Sequence, residues 1–96
     1  MGGWVYMMAD RYRGAIYTGV TADLPRRNLE HQTGKGSRFV KKYQLLRLVY
    51  AEPYEQIEAA IAREKAIKKW RRAWKIELIE SANSDWLDLF DQLIGA

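Results

Sequence analysis

A carboxylate set among apolar helical positions is the chemically odd feature of this sequence. From Tyr54 to Trp70 the chain has no Gly or Pro, and Ile57, Ala60, Ile61 and Ile67 recur at helical spacing. At about 100° per residue, Glu64 falls near the centre of that stripe. Desolvating a carboxylate there is costly unless it is paired, bound to a metal or lining a cleft. Lys68, one turn along, offers the ion-pair alternative, as does the rest of the cationic run from Arg63 to Arg72. Spacing alone leaves both readings open.

Other side chains with chemical capacity are spread along the chain. Tyr6 and Tyr17 lie in two apolar, β-rich segments, where each is either a strand-packing aromatic or a phenol aimed at a site. Arg27 and His31 are four residues apart and share one side of a short helix. His31 could equally interact with the terminal carbonyls of that helix. Asn83, just before Ser84-Asp85-Trp86, reads as a turn or cap residue or as a polar contact. The absence of Cys removes thiolate nucleophiles, disulfides and cysteine-ligated zinc, and a single His rules out a multi-histidine centre. A metal here must take oxygen ligands.

These residues need elements to position them. Trp4 to Ala9, a turn at residues 10–14, and Ala15 to Val20 read as a β-hairpin. Pairing Ala9 with Gly14 sets Tyr6 opposite Tyr17, on one face with Met8 and Gly19. Val5, Met7, Ile16, Thr18 and Val20 then form the better core face. Thr21 or Asp23 caps a helix that carries Pro25 in its first turn and ends near Gln32. Gly34-Lys35-Gly36-Ser37-Arg38 opens a basic loop without P-loop spacing, and Phe39 to Tyr43 continues it. Leu45 to Ala51 is a third strand, ended by Glu52-Pro53. Helices follow over 54–70 and 73–82. A last amphipathic helix at about 84–94 presents Trp86, Leu87, Phe90, Leu93 and Ile94.

With 96 residues, 48% hydrophobic and 29% charged, the chain is predicted to fold as one domain over 1–96, its core spanning about 4–89. No apolar run is long enough to cross a membrane, so a cytoplasmic location is expected. Charge is regional. Residues 26–75 carry 14 bases against five acids, whereas the segment after them carries five acids and no base. Lys35, Arg38, Lys41, Lys42, Lys68 and Lys69 are candidate phosphate contacts within the basic part.

The order of these residues resembles the GIY-YIG nuclease superfamily. Its first motif is similar to Trp4-Val5-Tyr6-Met7 and its second to Tyr17-Thr18-Gly19. Tyr17-Thr18-Gly19-Val20-Thr21, Arg26-Arg27, Glu30-His31, Gly34-Lys35-Gly36-Ser37-Arg38, Arg63-Glu64-Lys65 and Asn83-Ser84-Asp85-Trp86 resemble the small stand-alone bacterial group called YhbQ-like. The likeness runs from Val5 to about Leu89. Trp4-Val5 replaces the Gly-Ile of the motif name and Thr18 replaces an Ile, both at positions that pack strands in the family.

The resemblance implies an α/β (α+β) fold, a three-stranded antiparallel sheet flanked by helices with a phosphodiester-cleaving site on one side. It implies Glu64 as the ligand of Mg²⁺ or Mn²⁺, and Arg27 as the group that stabilises charge on phosphorus. Tyr6 and Tyr17 are implied beside the attacking water, and His31 as a proton relay or phosphate contact. Gly19 would admit backbone to the site, and Asn83 would lie near it. A single carboxylate suits Mg²⁺, which keeps several waters and takes substrate phosphate as a further ligand. The expected function is a metal-dependent endonuclease in DNA processing or repair, with DNA the favoured partner. The alternative is a non-catalytic nucleic-acid-binding module that retains the nuclease fold. Catalysis requires Tyr6, Tyr17, Arg27 and Glu64 to converge on one solvent-connected depression.

Overall fold

The computed structural model describes residues 1–94. The last two residues of the 1–96 span, and the side chain of Ile94, lie outside the described residues. In chain order the elements are β1 (Gly3–Ala9), β2 (Ile16–Thr21), α1 (Leu24–Gln32), α2 (Arg38–Tyr43), β3 (Arg47–Tyr54), α3 (Ile57–Lys68), α4 (Arg72–Ala82) and α5 (Phe90–Ile94). The strands form one antiparallel sheet in the order β2-β1-β3. No helix among the described residues is long and apolar enough to cross a membrane.

The hairpin forms, with a different register from the expected one. Ala9 pairs with Ile16 rather than Gly14, so Tyr6 faces Gly19 and Met8 faces Tyr17. Asp10 explains the longer loop, because its Oδ1 accepts a 2.8 Å hydrogen bond from the Ala15 amide and closes the turn outside the ladder. The slip is two residues, so side-chain parity survives and Tyr6, Met8, Tyr17 and Gly19 still share a face. A one-residue slip would have separated the tyrosines.

The tyrosine face proves to be as much a core as its opposite. β1 is the middle strand, and helices cover both of its faces. Val5, Met7 and Ala9 pack with Val49, Ala60, Ile67, Ile79 and Trp86 on one side. Tyr6 and Met8 pack with Leu24, Val40, Leu45 and Leu48 on the other. A strand buried on both faces does not alternate apolar with polar, and Val5 to Ala9 does not.

Several boundaries differ from expectation. β3 continues through Pro53 to Tyr54, since β3 is an edge strand, where a residue without an N–H is tolerated. Helix α3 consequently starts at Ile57, not Tyr54. Residues Arg38 to Tyr43 form a helix instead of loop, capped by the Ser37 hydroxyl accepting from the Phe39 amide and ended by Gln44 at φ 56°. The last helix is restricted to Phe90–Ile94. Trp86 takes φ 57° and is fully buried, its Nε1 donating to Glu80, which holds residues 83–89 as an irregular plug.

Candidate active site

α1 brings two of the candidate side chains together. Asp23 caps it by accepting from the Arg26 amide, and Pro25 sits in its first turn, where no backbone donor is needed. One turn of helix separates Arg27 from His31, and both reach the tyrosine face of the sheet. Arg27 Nε donates to Tyr6 Oη at 3.2 Å, and Tyr6 Oη lies 2.9 Å from His31 Nε2. Glu30 accepts from Arg27 Nη1 at 3.0 Å and fixes the guanidinium. The spacing of Arg27 and Glu30 on one helix could have signalled that clamp from sequence.

Tyr17 completes an aromatic triangle. Its ring lies 6.2 Å from that of Tyr6 and 5.6 Å from that of His31. Gly19 makes the approach possible, because a Cβ there would stand 2.5 Å from Tyr6 Cζ and Oη and 2.9 Å from Tyr17 Cε2. Gly36 plays the same part on the far side, where a Cβ would come within 2.5 Å of His31 Nδ1. The basic-loop motif gives Gly36 no role of its own; its packing against His31 does.

Burial divides the candidates into two sets. Tyr6 and His31 are each 1% exposed and form the buried set. Burial pushes the Tyr6 hydroxyl well above its ordinary range despite Arg27, so it stays protonated at neutral pH. Burial, helped by Arg27, lowers His31 to about 4 and keeps it neutral. If the Tyr6 hydroxyl donates to Nε2, this cluster leaves one buried polar atom without a partner among the described residues, His31 Nδ1. The reverse arrangement would also strand the Tyr6 proton, so the first is favoured.

Tyr17 and Arg27 are partly exposed and can meet a ligand. Glu64 is buried on α3 with its side chain 12% exposed, and Lys68 Nζ lies 2.8 Å from its Oε2. The ion pair that spacing left as one of two readings is therefore present. Lys68 is half exposed and its ammonium also lies 5.9 Å from the centre of the Tyr17 ring, so the pair stands at the rim beside Tyr17. An open depression of 370 Å³ adjoins Arg27, between Val20, Asp23, Arg26 and Glu30. Tyr6, Tyr17 and Glu64 do not line that depression.

Lys35, Arg38, Lys41, Lys42 and Lys69 are exposed, and none is in an ion pair among the described residues. Asn83 is different. It is buried, its Nδ2 donates to the Val49 and Leu87 carbonyls, and its Oδ1 accepts from the Leu87 amide. With its amide bonded to backbone, Asn83 shapes the plug as a turn residue.

A family model described as the GIY-YIG catalytic domain matches residues 2–77. The chain belongs to the GIY-YIG family. A UPF0213 protein of Staphylococcus epidermidis is 36% identical over 67 residues, covering 70% of this chain and 82% of that protein. A UPF0213 protein of Enterobacter is 33% identical over 81 residues, 84% of this chain and 79% of its own length. The solution structure of a UPF0213 protein from Bacillus halodurans superposes with a TM-score of 0.58 at 27% identity, covering all of both chains. The three-stranded antiparallel sheet flanked by helices is thus the GIY-YIG fold, and the family supports a nuclease-like role.

Proposed function

We propose that this chain is a divalent-metal-dependent endonuclease that hydrolyses nucleic-acid phosphodiesters, DNA foremost, in DNA processing or repair. The observation that carries the reading is the Tyr6 hydroxyl held between Arg27 and His31, directly behind Tyr17. The hydroxyl is fixed from two sides, and its neighbours are a partly exposed phenol and a guanidinium beside an open depression.

The roles follow from exposure. Tyr6 and His31 are positioning residues that hold Arg27 and the Tyr17 ring in place. Arg27 offers a fixed cationic fork to the charge that builds on phosphorus in the transition state. Tyr17 is the phenol that water can reach, and it orients the attacking water. Glu64 would hold Mg²⁺ or Mn²⁺. A cation held there would complete its shell with waters and substrate phosphate. When bound, the cation neutralises charge on the phosphate oxygens. Lys68 must then give up its partner, and its place beside Tyr17 keeps it near the phosphate.

The ion pair favours a second reading, a nucleic-acid-binding module without turnover, in which Lys68 satisfies Glu64 permanently. Labelled DNA and RNA substrates of several structures, incubated with Mg²⁺ or Mn²⁺, separate the two. Cleavage by the wild type and none by Glu64→Ala is expected; equal cleavage by both would remove Glu64 from the site, and binding without cleavage would establish the second reading.

A further inference from the structure

The unexpected helix α2 exposes two aromatic rings next to the candidate site. Phe39 and Tyr43 are 42% and 46% exposed, while Val40 is the buried residue of that helix. Phe39 stacks on Tyr17, centroids 6.4 Å apart and planes 29° apart, and Tyr43 meets Phe39 at 4.8 Å. Three rings therefore run outward from Tyr17 without a break. Contiguous exposed rings beside a polar site offer a surface on which a flat ligand can stack.

Charge identifies what docks. Lys42 Nζ lies 5.3 Å from the Tyr43 ring centre and Lys68 Nζ 5.9 Å from that of Tyr17, so cations bracket the strip. Arg38 and Lys41 stand exposed on the same helix, and no acid occurs anywhere from His31 to Ala51. Aromatic faces interleaved with cations suit a polyanion that also presents flat π faces. In a duplex those faces are covered by neighbouring base pairs; in a single strand they are free.

We propose that Phe39 and Tyr43 form a base-stacking subsite that takes unpaired nucleotides flanking the phosphate at Tyr17. The position of that phosphate rests on the nuclease reading, but stacking can be measured without any cleavage. Every base has a π face, so the subsite is tolerant of sequence and of sugar.

The test uses the full chain in chelator, with short labelled oligothymidylate, oligouridylate and a duplex of equal length, and with an oligonucleotide carrying 2-aminopurine. Single strands should bind more tightly than duplex at the same salt, and 2-aminopurine fluorescence should be quenched on binding. Phe39→Ala and Tyr43→Ala should each weaken single-strand binding about tenfold and relieve the quenching, with duplex binding changed less than about twofold. Phe39→Trp should restore both. An unquenched probe, or equal losses for single strand and duplex, overturns the subsite, and the quenching measurement on wild type keeps this decisive even if a variant misfolds. Quenching without cleavage in Mg²⁺ supports the subsite while overturning the nuclease reading; cleavage without quenching does the opposite.

Discussion

Buried and rim residues should respond differently to substitution. His31 is the single histidine, so its ring resonances can be followed by NMR, and they should titrate near pH 4 rather than 6.5. Because the folded-state value is depressed, the neutral ring contributes stability that is present above about 6.5 and lost as pH falls towards 4. Wild type should therefore lose melting temperature relative to His31→Gln across that window; a constant difference would contradict the burial. Tyr6→Phe should destabilise by about 1–3 kcal/mol, since it strands His31 Nε2 and an Arg27 donor. Tyr17→Phe should instead leave the melting temperature nearly unchanged and lower cleavage by about 10²-fold. Glu64→Ala should abolish cleavage, keep stability within about 1 kcal/mol and keep DNA affinity, because an i,i+4 pair with a half-exposed lysine is weak and Ala favours helix. Marked unfolding of that variant would mean that the Lys68 pair is structural.

At the scale of elements, close approach is the limiting condition. β2 touches the site through Gly19, and the loop before α2 touches it through Gly36. Gly19→Ala should cost about 1–3 kcal/mol and displace the Tyr6 ring, because the obstructing atoms belong to a side chain packed on all sides. Denaturant melts combined with the His31 titration would register both effects. A second clasp holds the opposite end of the hairpin. Arg13 donates to both oxygens of Glu80, which also accepts from Trp86 Nε1, and Arg72 donates to the Arg13 and Gly14 carbonyls. The bonds from Arg13 and then Trp86 lower the Glu80 carboxyl to about 2. Its contribution is therefore present above about 4.5 and lost as pH falls through 2. Glu80→Ala should lower the melting temperature at pH 7 and shift Trp86 fluorescence towards that of a solvated indole, with the difference from wild type vanishing in strong acid.

For the whole molecule, the basic middle of the chain sets the interaction with nucleic acid. Lys35, Arg38, Lys41 and Lys42 lie on the loop and helix beside Tyr17, Lys68 ends α3 with its ammonium near the Tyr17 ring, and Lys69 follows as the cap residue. The acids after residue 75 lie in α4 and the segment beyond it. Affinity should fall steeply with salt, with a log-log slope of about −0.7 per phosphate neutralised on a single strand and about −0.9 on duplex. Replacing Lys41 and Lys42 with Ala should flatten that slope by about one to two phosphates in a fluorescence-anisotropy titration; a salt-independent affinity would exclude an electrostatic interface.

The sequence by itself determined what depends on local rules and on parity. The cap at Asp23, Pro25 in the first turn of α1, the amphipathic stripe of α3 and the sharing of one face by Tyr6 and Tyr17 all follow from residue type and spacing, and the motif order carried the family. Tertiary structure decided whatever depends on what packs against what. The hairpin register depended on an Asp10 bond that closes a longer loop, and α2 on a Ser37 cap. Pro53 stayed in β3 because that strand is an edge. Glu64 sits on an apolar stripe in any helical projection, but its pairing with Lys68 and their place beside Tyr17 depend on how α3 lies across β1 and β2. The same holds for solvent access. Tyr6 and Tyr17 are equivalent on a strand diagram, and only the helices laid over the sheet bury one and leave the other in reach of water, because burial is a property of the elements around a residue rather than of the residue.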